Sequence, residues 1–142
     1  MNKCHEHPRP TNEPIEATKA GLVHHGGAMI PFLHRRVASF IEFSQTRLKN
    51  NILENITGSP MDHFRMFYAD TAIYGNTAGL MCSYDFYGAR HLLFGTDMPY
   101  DSQFGLTFTR ETVNSIEQMA ISEAEKRMIF EDNARDLLHL LP

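Results

Sequence analysis

Cysteine is scarce. Two residues, Cys4 and Cys82, are too few for a disulfide framework, and thiols in a cytoplasmic protein are the simpler expectation. Long apolar runs are missing as well, and no stretch approaches the roughly 18 residues that a membrane-spanning helix needs. The opening Met1-Asn2-Lys3-Cys4-His5-Glu6-His7 lacks the apolar segment of a secretory leader. The sequence therefore predicts neither a leader nor a membrane partner. Basic runs are absent too. Lys and Arg number 13 against 17 Asp and Glu, a formal charge of −4, which argues against nucleic acid as a partner. With 42% hydrophobic and 21% charged residues, the composition excludes a disordered chain, a collagen-like repeat and a coiled coil. A length of 142 residues allows one domain with a real core. Histidine is in excess: there are eight, five of them before residue 35.

Hydrophobic patterning gives an alternating order. Residues 1–19 form a polar lead-in broken by Pro8, Pro10 and Pro14. Ala20-Gly21-Leu22-Val23-His24 is a short apolar run that reads as a buried strand and stops at His25-Gly26-Gly27. Met29, Leu33, Val37, Phe40 and Ile41 then recur at helical spacing, with Pro31 suited to a first turn. The stretch from Lys49 to His63 reads mostly as connection. Phe64 to Asp70 is aromatic-rich and predicts a second strand. A helix follows from Gly75-Asn76 to Tyr87, with Gly88 as its stop. His91 to Thr96 predicts a third strand, ended by Asp97-Met98-Pro99. Helices close the chain, one of them opened by the capping box Ser122-Glu123-Ala124-Glu125. This is the βα alternation of a parallel sheet, so the fold class is α/β. Its polar turns gather at the carboxyl edge of the sheet, where such folds place their sites.

His25 and Asp97 are the leading candidates for chemistry, since each sits just past an apolar strand. An imidazole and a carboxylate at one mouth can bind a divalent metal or share proton transfer. The same residues also read as turn formers: a strand-end Asp caps the following turn, and a His before Gly-Gly can simply fill space. Strand alternation predicts that His24 and His25 face opposite ways, one to the mouth and one to the helices. Asp70 ends the second strand and can reach the mouth or cap its turn. His5-x-His7 has metal-pair spacing without a buried strand to hold it. His34, His63, His91 and His139 read as surface or packing residues.

These segments together resemble a known family. Leu22-Val23-His24-His25-Gly26-Gly27-Ala28-Met29-Ile30-Pro31-Phe32, with Arg36 five residues after Pro31, resembles the His-Gly-Gly-Gly-x-x-Pro segment of amidohydrolase-related proteins. The branch is that of aminocarboxymuconate-semialdehyde decarboxylase and the resorcylate decarboxylases. Phe67 to Ala72 is similar to its next strand, Leu93 to Asp101 to its last strand, and Asn133 to Leu138 to its closing helix.

The resemblance implies a partial (β/α)8 barrel of TIM type, roughly the last three or four βα units. Residues 20–142 would be its carboxy-terminal half, and 1–19 a remnant of an earlier barrel strand. A full barrel takes about 250 residues, so a truncated chain is the expectation. The implied activity is a metal-dependent decarboxylase (carboxy-lyase) or hydrolase for a small carboxylated aromatic or muconate-like substrate. His25 would then be an acid/base group beside the metal, and Asp97 a metal ligand, with zinc the first choice and manganese the second. His7-Pro8-Arg9 resembles a middle-strand His-Pro element and adds His7 as a further metal candidate. Only 18 residues separate His7 from His25, where the family has a helix and a further connection. The family's first-strand His-x-His or Glu-x-His has no counterpart.

Half a barrel leaves parallel edges open. The strand ending at Asp97 should then expose unpaired amides and carbonyls. Self-association into a homo-oligomer, or pairing with the missing amino-terminal half, follows from that. The competing reading is a non-catalytic half-barrel that self-associates or needs a partner chain.

Overall fold

The computed structural model describes residues 21–49 and 56–140. Three short strands, β1 (Leu22–Val23), β2 (Tyr68–Asp70) and β3 (Leu92–Leu93), pair in parallel in the order β1-β2-β3. Leu22 lies opposite Tyr68, and Ala69 opposite Leu92. A distorted turn, α1 (His24–Gly27), leads from β1 to α2 (Ile30–Thr46) and α3 (Pro60–Arg65). Helix α4 (Thr77–Tyr87) connects β2 to β3. After β3 come α5 (Leu106–Glu117), α6 (Glu123–Arg127), a π-helical turn (Met128–Asp132) and α7 (Asn133–Leu137). The order is that of an α/β fold, as the patterning predicts. Among the described residues no helix is long and apolar enough to cross a membrane.

Local chemistry sets these boundaries. Pro31 sits in the first turn of α2, where a missing N–H breaks no helical bond. The Asn76 side chain caps α4 by accepting from Gly79 N at 2.9 Å. Gly88, at φ 75°, ends it. The capping box at Ser122 and Glu125 forms as predicted. Ala69, Leu80, Leu92, Ile116 and Ile129 are fully buried and form the core between the sheet and the helices. Each large aliphatic side chain in that layer contributes about 1.5–3 kcal/mol.

The strands are shorter than the pattern predicts. The segment expected as a strand from Phe64 begins pairing only at Tyr68, because Pro60 starts a helix that runs through Arg65. Phe64 and Phe67 pack against the core from there, so their aromatic character reflects burial rather than strand. His91 closes a 3-10 turn (Ala89–His91) instead of opening β3.

The outer edge of β3 is also not bare. The π-helical turn sends Asn133 N–H back to Met128 O. Ile129 O is thereby left free, and it accepts Phe94 N–H at 2.9 Å. The Asn133 side-chain amide donates to Ala89 O at 2.7 Å and Leu92 O at 2.8 Å. Leu92 N–H bonds Ala89 O. The expectation of unpaired groups along this strand is therefore corrected: the closing helices satisfy Leu92 and Phe94 from the side. Asn133 is 6% exposed, so Asn133→Ala should orphan the Leu92 carbonyl in a buried setting. The expected loss is about 2 kcal/mol of stability, measured by urea unfolding, and a loss near zero would contradict this bracing role.

Candidate metal and active-site cluster

All three strands deliver their carboxyl ends to one edge. His24 follows β1 directly, Asp70 ends β2, and Asp97 lies just beyond β3. Strand geometry stops at Val23. His25, at φ 54° and ψ 52°, is left-handed, and Gly26 follows at φ 65°. The alternation rule no longer applies past that point. Both imidazoles stay at the mouth, with ring centroids 3.7 Å apart. This corrects the prediction that one of them packs toward the helices. Ser83 on α4 pins the turn by donating to Gly26 O at 2.6 Å. Ala28, where the resembling segment has a third glycine, takes φ 52° and ψ −123°, a conformation that favours glycine.

Each imidazole has a fixed role. His25 Nδ1 lies 2.8 Å from the Ala72 carbonyl. A carbonyl only accepts, so Nδ1 carries the hydrogen and Nε2 is left as an acceptor or metal donor. His24 Nδ1 bonds Asp70 Oδ2, while its Nε2 lies 3.4 Å from Asp97 Oδ1. The second oxygen of Asp70 accepts from Ala72 N at 3.0 Å. The hydroxyl of Thr71 donates to Gly95 O at 3.0 Å, and Gly95 N donates back to its Oγ1 at 3.1 Å. These bonds latch the ends of β2 and β3 together.

The Asp70 hydrogen bond raises the His24 pKa above its ordinary 6.5. Desolvation works against that rise, and the charges of Asp70 and Asp97 add to it. A folded-state pKa above the unfolded one contributes stability in full below about pH 6.5, and the contribution fades as pH rises through the folded value. Relative to His24→Gln, the chain should therefore melt higher at pH 5.5 than at pH 8.5. Thermal melts across that range test this, and a pH-independent difference would contradict it.

His24, His25 and Asp97 each offer a donor atom, and these atoms lie within 4.8 Å of one another. The structure thus brings together His25 and Asp97, as the sequence reading expects. It adds His24, and it adds Asp70 as the residue that orients His24. His7 lies outside the described residues. His34, His63 and His91 bond the backbone carbonyls of Pro31, Thr57 and Phe67 and stand outside the cluster. A cavity of about 330 Å3 opens beside His25 and Asp97, walled by Ile73, Tyr74, Thr96 and Phe108 among others.

Fold and site together define a parallel α/β protein with a metal-competent His/Asp cluster at its carboxyl edge. The amidohydrolase pattern matches residues 13–140, and the chain belongs to that family. A 6-methylsalicylic acid decarboxylase of Penicillium expansum is 29% identical over 117 residues, covering 82% of this chain and 33% of the relative. The apo structure of an IDCase from Metarhizium anisopliae superposes with a TM-score of 0.71 at 27% identity, covering 85% of this chain and 34% of that one. A dihydroxybenzoic acid decarboxylase of Polaromonas was solved with manganese and the inhibitor 2-nitroresorcinol. It gives a TM-score of 0.61 at 23% identity over 84% of this chain and 33% of its own, a likeness of fold alone. The chain spans about a third of the length of these relatives.

Proposed function

We propose that this chain forms the metal-binding and proton-transfer side of a decarboxylase for a small carboxylated aromatic acid. The observation that carries the reading is the convergence of His24, His25 and Asp97 donor atoms at the carboxyl edge of the sheet. The activity named for the Penicillium expansum relative supports decarboxylation over hydrolysis. An imidazole and a carboxylate suit zinc or manganese. His24 Nε2, on a ring that Asp70 holds through Nδ1, and the Asp97 carboxylate would hold the ion, which leaves His25 Nε2 for the proton. When bound, the ion would polarise the substrate's carboxylate and offset negative charge as it develops.

The chain's own groups account for the proton. Decarboxylation places a proton on the ring carbon that bears the carboxylate. The carbon–carbon bond then breaks, its electron pair stays with the ring, and carbon dioxide leaves. His25, tethered through Nδ1 to Ala72 O, presents Nε2 as the group that carries this proton. Asp70 and Asp97 hold His24 beside it. Ile73 and Phe108 form the apolar side of the cavity.

So few donors fall short of a fixed catalytic site unless others join them. The chain spans a third of its relatives, so the reading extends to a site completed by His7, by a second copy or by a longer polypeptide. The half-barrel without turnover is the second reading, favoured by the small number of donors that the described residues bring together.

Carbon dioxide release from dihydroxybenzoate, with added manganese or zinc, separates the two. The assay runs beside size-exclusion chromatography with light scattering. Turnover is expected only from an assembled species, alone or with the amino-terminal half of a relative. No turnover from any assembled species would overturn the decarboxylase reading.

A further inference from the structure

We propose that Ser83 is a positioning residue for the reaction: its hydroxyl latches a strained turn and so keeps the His25 imidazole at the mouth of the site. The proposal rests on the reading of His25 as the group that carries the proton. Ser83 lies inside α4 and is 3% exposed, so it acts on the chemistry only through the turn.

That turn is built against ordinary backbone preference. Four successive residues, His25 to Ala28, take positive φ of 54°, 65°, 83° and 52°. Glycine accepts this at positions 26 and 27, whereas His25 and Ala28 carry a Cβ. His25, with ψ 52°, at least falls in the left-handed helical well. Ala28 pairs its φ with ψ −123°, outside the main regions open to an L-residue. Backbone of this kind persists only where its surroundings over-determine it.

The holds on the turn differ in what they grip. Ala28 N–H donates to His25 O at 3.0 Å, which closes the turn on itself. His25 Nδ1 donates to Ala72 O at 2.8 Å, but that bond hangs on the ring it has to place. Ser83 grips the backbone. Its hydroxyl donates to Gly26 O at 2.6 Å, nearer than Gly79 O at 3.1 Å on its own helix. The fit has no slack, since a Cβ on Gly26 would lie 2.8 Å from Ser83 Oγ. Gly26 is buried as well, so water competes poorly for the bond. Ser83→Ala leaves the Gly26 carbonyl facing a methyl group. Strain at Ala28 then drives the turn toward ordinary dihedrals, and His25 swings away while His24 stays on Asp70.

The test is NMR of the full chain, reading cross-relaxation between the ring protons of His24 and His25, whose centroids lie 3.7 Å apart. The parent should show it, and Ser83→Ala should lose it with the fold retained. Ala28→Gly relieves the strain. Alone it should raise the urea midpoint, and combined with Ser83→Ala it should restore the ring contact. A role confined to stability would give no such rescue. In the assembled species, Ser83→Ala should lower kcat for dihydroxybenzoate about 10–100-fold, and the double variant should recover it. KM should stay nearly unchanged, because His24 and Asp97, which would hold the cation, keep their places. An unchanged ring contact in Ser83→Ala would overturn the latch, as would an unchanged kcat. A midpoint that Ala28→Gly fails to raise would overturn the strained turn, even if Ser83→Ala does not fold. No turnover from the parent would strike the decarboxylase reading instead, and the ring contact would then decide the latch.

Discussion

Asp97→Asn is expected to lower the affinity of the chain for manganese or zinc by about a hundredfold or more. Loss of an outer partner alone costs about 10–100-fold in metal sites, and this change removes the charge of a direct donor. Asparagine is the informative replacement because Asp97 sits at φ 60°. Asn and Asp tolerate that left-handed conformation better than other side chains. Alanine would add backbone strain to the chemical loss. Calorimetric titration measures the change, and an unchanged urea midpoint shows that the fold is intact. Equal metal affinity in the variant and the parent would remove Asp97 from the site.

Gly27→Ala should destabilise the chain by about 2–4 kcal/mol, combining left-handed strain with overpacking. Gly27 takes φ 83°, and a Cβ there would lie 2.5 Å from Tyr87 Cε2 and 2.6 Å from its hydroxyl. Tyr87 is 6% exposed and meets Phe86 edge to face at 4.8 Å, so the ring has nowhere to go. Gly58→Ala separates the two contributions. It has φ 86° with nothing within 4 Å of its Cβ, so it should lose only the backbone part. Urea unfolding of both variants decides this, and equal losses would show that the Tyr87 contact adds nothing. Because α1 also carries His24 and His25, Gly27→Ala should weaken metal binding as well.

The sequence carried the α/β order well, since helix caps and apolar runs are local signals. Asn76, Gly88 and Ser122 mark boundaries that need no tertiary information. Strand extents were poorly legible. Phe64 and Phe67 have the same aromatic signature whether they pack from a helix or pair in a sheet, and only Pro60 hinted at the helix. His25 and Asp97 were legible through their place after strands. His24 was read as alternating with His25 because strand geometry was assumed to continue. The left-handed turn at His25 brings both rings to one side, and the residues that hold it, Ser83 and Ala72, are 58 and 47 positions away. The bracing of β3 was likewise hidden, because it depends on a helical irregularity that no period reveals.

That irregularity also bears on how copies of this chain can meet. Along Leu92 and Phe94 the sheet is closed by Ile129 and Asn133. Among the described residues no strand pairs with the far side of β1. A sheet with two open edges can add copies head to tail without limit and so form fibres. On the β3 side, a further strand would have to displace Ile129 O from Phe94 N–H and the Asn133 amide from Leu92 O before it could pair. Asn133 and the π-helical turn therefore act as a stopper that shields this end of the sheet from edge-to-edge addition.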